Sequence, residues 1–199
     1  MRLKTLLVVV AVCLLATAPT FAQNLLTNGS FETGDFTGWT TGGNFEFSQV
    51  VSGAFYDYTG AEQGNFYATL GPVGSPGTLS QSFADQAGHQ YTFSFYFASV
   101  GDSPSSFTAS WDGTNLINLT DPNTGAGWTR FSFTETGTGS DTISFSFQDD
   151  PGYLALDNVS VAASSTSTTT GTTPEPSSLL LLGTGAIGLA GFVRRKVSR

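Results

Sequence analysis

His89 is the only histidine of this chain and Cys13 its only cysteine. The side chains that most often serve as general base and as nucleophile near neutral pH are thus present once each. His89 lies in Gly88-His89-Gln90, a turn before an expected strand, and no Gly-x-Ser-x-Gly supplies a hydrolase nucleophile. A histidine-based metal site needs several ligands, which one histidine does not provide. Carboxylates are plentiful, and two of them about 5–9 Å apart would suit glycoside hydrolysis, but no spacing singles out a pair. Asp141 and Asp149-Asp150 are expected to be solvated turn residues. The other chemically useful groups are aromatic. Trp39, Tyr56, Tyr58, Trp128 and Tyr153 would stack on sugar rings if exposed and would fill a core if not. Phe55-Tyr56-Asp57-Tyr58 stands between Gly53 and Gly60, where a loop would expose it, so Tyr56 and Tyr58 are the candidate ligand-binding residues.

Charge narrows the partners. From Gln23 to Ala163 the only Lys or Arg is Arg130, set against 14 Asp and Glu residues, a formal charge of −13. Such a surface repels phosphate backbones, which excludes nucleic acid as a partner. Calcium, cationic groups and neutral polymers remain compatible, and so does a plain role of the acids in solubility. Asn28-Gly29-Ser30, Asn118-Leu119-Thr120 and Asn158-Val159-Ser160 fit the glycosylation sequon by chance.

Both ends read as export signals. Arg2 and Lys4 precede an apolar stretch from Leu6 to Ala16, and Thr20-Phe21-Ala22 offers small residues at the −3 and −1 positions of a cleavage site. Residues 1–22 are therefore expected to be a signal peptide, cut between Ala22 and Gln23. Cys13 leaves with it, so the mature protein has no thiol for a disulfide or a nucleophile. At the other end Pro174, Glu175 and Pro176 precede an apolar run over 177–193 and a basic tail of Arg194, Arg195, Lys196 and Arg199. At about 1.5 Å per residue such a run is just long enough to span a bilayer core as a helix. The basic tail would stay on the cytoplasmic side. Between the ends lie a domain over 23–163 and a linker over 164–173 that holds only Ser and Thr apart from Gly171.

The domain must be β. Tyr91, Phe93, Phe95 and Phe97 alternate with hydroxylated residues and Tyr96, and the pattern recurs at Phe107, Ala109 and Trp111, at Phe131 and Phe133, and at Ile143, Phe145 and Phe147. Phe45–Val51, Phe66–Leu70, Thr78–Phe83, Leu116–Leu119 and Tyr153–Val161 are further strand candidates, with Gly, Pro, Asp and Asn in the gaps. Asp112-Gly113 marks a tight hairpin. No amphipathic helix stands out. Many strands, each apolar on one side, bury best as two packed antiparallel sheets, which predicts an all-β fold, a β-sandwich of the jelly-roll kind.

Two resemblances follow from these residues. The order of Pro-Glu-Pro, apolar run and basic cluster over 174–199 resembles the PEP-CTERM sorting signal of Gram-negative surface proteins. That resemblance implies recognition and cutting by an exosortase-type enzyme after the secretion machinery has exported the chain. An ordinary tail anchor is the alternative. Asn24-Leu25-Leu26-Thr27-Asn28-Gly29-Ser30-Phe31-Glu32 with Gly38-Trp39 is similar to the opening of jelly-roll carbohydrate-binding modules and galactose-binding-like domains. Leu156-Asp157-Asn158-Val159-Ser160-Val161 is similar to their closing strand. The likeness implies a structural calcium ion shared by Glu32 and Asp157, against the simpler reading of two acids at strand ends. Together these features lead us to expect a non-enzymatic protein of the cell surface or extracellular matrix, held transiently in the inner membrane. A module gripping exopolysaccharide is the first alternative, and a glycoside-active enzyme the second.

Overall fold

A computed structural model describes residues 23–164. The signal segment 1–22, the linker after Ser164, and the apolar run and basic tail within 174–199 lie outside the described residues. Ten strands form two five-stranded antiparallel sheets. The first sheet is ordered β1 (Thr40–Gly43), β4 (Gly77–Ala84), β9 (Ser140–Asp149), β6 (Ser105–Trp111), β7 (Thr114–Thr120). The second is ordered β2 (Gln49–Ser52), β3 (Phe66–Leu70), β10 (Leu154–Ala163), β5 (Gln90–Ala98), β8 (Thr129–Thr136). Without β1 and β2 the orders are 4-9-6-7 and 3-10-5-8, the arrangement of a jelly roll. The two remaining strands add one edge to each sheet.

Period-2 alternation selects the inner faces. Along β9, Ile143, Phe145 and Phe147 are fully buried while Thr142, Ser144 and Ser146 are only partly covered. Opposite them Phe93, Phe95 and Phe97 of β5 are also fully buried. Phe95 is the hub, with ring centroids 5.1 Å from Phe145, 5.4 Å from Phe131 and 5.8 Å from Phe107. Offset and edge-on contacts of this kind add to the area each ring buries, by roughly 0.5–1.5 kcal/mol a pair.

The first and last segments lie side by side. Leu25 donates its N–H to Val161 O at 2.7 Å, and the Asn24 side chain donates to Val159 O and accepts from the Val161 N–H. Gly29 meets the same strand so closely that an added Cβ would fall 2.0 Å from Val159 O, which only glycine permits. Gln81 of β4 both accepts from Thr27 N–H and donates to Thr27 O, pairing like a short piece of strand. Trp39 stacks on the buried Phe31 at 5.7 Å and donates its indole N–H to Asn28 O.

Two expectations need correction, and one strand is unexpected. The strand expected at Phe45–Val51 begins only at Gln49, because Phe45 to Ser48 turn back on themselves with Phe47 at φ 58°. Thr40–Gly43 is a strand with no apolar residue, so alternation could not reveal it; its pairing with Gly77–Ser80 holds it in place. Asp141 and Asp149 are not solvated turn residues. They close the two ends of the inner-facing row of β9 and are fully buried. The Asp112-Gly113 hairpin forms as expected, both residues at positive φ between β6 and β7.

The central rings set the stability. Phe95→Ala and Phe145→Ala should each cost about 3–5 kcal/mol in urea melts of the full chain. Ser132→Ala, on the exposed side of β8, should change stability by less than about 0.5 kcal/mol. Equal losses at Phe95 and Ser132 would show that the sheet faces are assigned wrongly.

Candidate functional site

Glu32 and Asp157 both reach the long β2–β3 loop, which folds back over the outer face of the second sheet. Asp157 is fully buried on that face, and its Oδ2 accepts the N–H groups of Glu62 at 2.8 Å and Gln63 at 3.0 Å. Its Oδ1 accepts the Asn158 N–H at 2.6 Å. Glu32 Oε1 accepts the N–H groups of Asn65 at 2.8 Å and Phe66 at 2.9 Å. The Phe66 bond leads in holding the Glu32 carboxyl below its usual range, whereas burial pushes Asp157 up to about 6. Calcium requires six to eight oxygens turned toward one point. Here three of the four carboxylate oxygens already accept amide N–H groups, and Glu32 Oε2 is the one without such a bond. The two acids fit a set of backbone N–H groups, which they pin to the sandwich. Among the described residues no group of three or more His, Cys, Asp or Glu could hold a metal ion.

Tyr56 and Tyr58 part company. Tyr58 is 2% exposed, and its hydroxyl donates to Tyr153 O and lies 3.3 Å from Ala98 O. It packs with Tyr67, Ala98 and Ala155 in a small second core beneath the loop, so the expectation that it stacks on a ligand is corrected. Trp128 belongs to the same support, edge-on to Tyr67 at 5.7 Å with its indole N–H on Gly60 O. Tyr56 is 47% exposed at positive φ, and turns its ring out at one end of the sandwich. It meets Tyr153 at 5.4 Å, and Tyr153 meets Phe55 at 5.1 Å, both edge-on. The Tyr56 hydroxyl donates to Asp102 Oδ2 at 2.9 Å, a bond that raises the phenol to about 12.

Beside these rings lies an open pocket of ≈ 190 Å³ lined by Phe47, Gly71, Val73, Pro151, Gly152 and Tyr153. Phe47 is 60% exposed and Val73 42%. Exposed apolar side chains gathered around a concavity mark an interaction surface more strongly than scattered ones do. Sequence reasoning misses Phe47 because it falls within an expected strand. Val73 carries a usable signal: an apolar residue in Pro72-Val73-Gly74-Ser75-Pro76 is a hydrophobe in a loop.

Residues 172–196 match the family described as the PEP-CTERM protein-sorting motif. The chain carries a PEP-CTERM signal. Pro174, Glu175, Pro176, Arg194, Arg195 and Lys196 fall inside the PEP-CTERM match, and Arg199 lies just past it. The sandwich is similar to solved carbohydrate-binding modules. TmCBM61 in complex with beta-1,4-galactotriose is 20% identical with a TM-score of 0.59, over 72% of this chain and 100% of that one. The CBM22-1 xylan-binding domain from Paenibacillus barcinonensis Xyn10C is 19% identical with a TM-score of 0.51, over 73% and 97%. The enzymatically active domain of Bacteriophage CBA120 tailspike protein 4 is 18% identical with a TM-score of 0.54, over 71% of this chain but only 21% of that one. At these identities the likeness is one of fold. No curated protein is similar enough to count as a match.

The buried acids give a pH dependence of unusual sign. Burial pushes Asp149 from its ordinary 3.8 up to about 6, as it does Asp157. A carboxyl that holds its proton more tightly folded than unfolded favours the folded state at low pH. That contribution is lost as pH climbs from about 4 through about 6. In urea melts with chelator present, the chain should be more stable near pH 5 than near pH 7. Asp149→Asn, which removes no side-chain hydrogen bond, should flatten that slope. A midpoint that rises steadily from pH 5 to pH 7 would refute the sign.

Proposed function

We propose that this chain is an exported surface protein, sorted through its PEP-CTERM segment, whose β-sandwich binds a neutral polysaccharide at the Tyr56 end. The observation that carries the reading is a pocket lined by exposed Phe47 and Val73 and half-buried Tyr153, with exposed Tyr56 packed against Tyr153 beside it, on a fold shared with carbohydrate-binding modules. Sugar rings offer an apolar face that stacks on such side chains, and hydroxyls that donate to nearby carboxylates such as Asp102. The acidity of the domain disfavours anionic polymers. A neutral β-linked chain in the surrounding exopolysaccharide fits these constraints.

Sorting follows from the two ends. The signal peptide delivers the chain to the export machinery, and the apolar run over 177–193 holds it in the inner membrane with Arg194, Arg195 and Lys196 on the cytoplasmic side. An exosortase-type enzyme then cuts near Pro174–Pro176, and the Ser/Thr linker spaces the sandwich from whatever retains it.

Binding is preferred to hydrolysis on geometric grounds. Asp149, raised to about 6, and Asp102 resemble the acid and base of a glycosidase. Asp149 is, however, fully enclosed, and a general acid must reach the glycosidic oxygen to protonate it.

Two measurements test the proposal. On a neutral glycan array, Tyr56→Ala in the full chain should weaken retention at least about tenfold, a loss of roughly 1.4 kcal/mol, with the melt unchanged. Retention that survives this change would move the site elsewhere. Mass spectrometry of the mature protein from a host with an exosortase should find no residue beyond the motif. Recovery of intact Arg199 from the surface form would refute the sorting step.

A further inference from the structure

Asp149 is the anomaly of this molecule. Its carboxylate is fully buried and neither oxygen completes a hydrogen bond, although the Gly152 N–H is near enough to offset part of the upward push of burial. Buried charges persist in folded proteins when they are paired or bound to metal. No basic side chain is available here. Arg130, the only Lys or Arg among the described residues, pairs in register with Tyr96 on the outer face of the second sheet, whereas Asp149 points into the sandwich from the first. His89 stands in the β4–β5 turn, at the opposite end of the strands.

Three loops are tied together at Asp149 by hydrogen bonds. Its own N–H donates to Pro72 O, Asp150 N–H donates to Pro104 O, and Ser105, opposite Asp149 in the β6–β9 register, donates its hydroxyl to Asp102 O. Asp102 presses against the backbone beside Asp149: a Cβ added to Gly152 would lie 2.0 Å from Asp102 Oδ2. The Tyr58 hydroxyl is held in the same place by Tyr153 O, and burial together with the charges of Asp149 and Asp102 makes it keep its proton more tightly. That single proton is committed to a carbonyl, which leaves the lone pairs of the oxygen free.

We infer that Asp149 and Asp102, with the Tyr58 hydroxyl and surrounding backbone carbonyls, form a binding site for one divalent cation of the calcium class. Two carboxylates neutralise its charge. The donors are all hard oxygens, and apart from Asp149 at the end of β9 they stand on irregular loops, which suits the flexible shell of calcium better than the strict octahedron of magnesium. The cation would tie the loops after β3, β5 and β9 together and, through the Tyr56–Asp102 bond, fix the ring at the mouth of the pocket. The site is distinct from Glu32 and Asp157, which hold amides. It stands whether or not the neighbouring patch binds polysaccharide.

Calcium calorimetry and terbium luminescence excited through the neighbouring tyrosines test the inference on the full chain in detergent, with no glycan present. One calcium ion should bind per chain. Asp149→Asn and, independently, the less buried Asp102→Asn should each weaken binding at least about tenfold and remove the terbium signal. Glu32→Gln should leave both unchanged. The Asp102 variant decides the matter if the Asp149 variant fails to fold. Absence of calcium binding to the unaltered chain would overturn the site. So would undiminished binding in the Asp102 variant, or loss of binding in the Glu32 variant alone.

Discussion

Everything in this molecule depends on two phenylalanine-lined sheets closing on each other. No disulfide crosses the sandwich, since its residues include no cysteine. Phe93, Phe95 and Phe97 from one side and Phe107, Phe145 and Phe147 from the other must therefore supply the cohesion by burial alone. The surrounding parts are fitted to that core. Edge strands β1 and β2 extend it, the opening segment seals one side of β10, and the long β2–β3 loop builds its own small core of Tyr58 and Tyr67 on the outside.

Acids do the secondary work that basic residues do elsewhere. With a single arginine in the domain, ion pairs are scarcely an option, so Glu32 and Asp157 grip amide groups and Asp141 accepts from Thr138. Each use converts a charge that would repel its neighbours into a fixed acceptor for backbone groups with no strand partner. Both carboxylates singled out by the opening and closing motifs serve the same loop. This gives those short motifs a structural meaning: they specify how the opening segment, the last strand and one loop are joined.

How much of this was legible in the sequence depended on the physics of each residue. The rings at Phe93, Phe95, Phe145 and Phe147 announced their strands because burial on one face demands period-2 alternation. Asp112-Gly113 announced a turn because its backbone needs positive φ. Thr40–Gly43 gave no signal, since an edge strand held by backbone pairing imposes little on its side chains. Asp141 and Asp149 misled because acids are rarely buried; only their even spacing from Ile143, Phe145 and Phe147 hinted that they shared the inner row. Tyr56 and Tyr58 have the same type two positions apart, and composition cannot say which is pillar and which is platform. That depended on Ala98 and Ala155, small residues on distant strands that leave room for Tyr58.

The direction of β10 gives the sandwich two poles. The strand starts at Leu154 beside Tyr153 and the Tyr56 patch and runs ten residues to Ala163, roughly 33 Å at the usual rise of a strand. The opening segment enters beside Val161, so the chain arrives and departs at the same pole. The aromatic patch occupies the other. Ser164, the last of the described residues, follows directly on Ala163 and so lies at the pole opposite Tyr56.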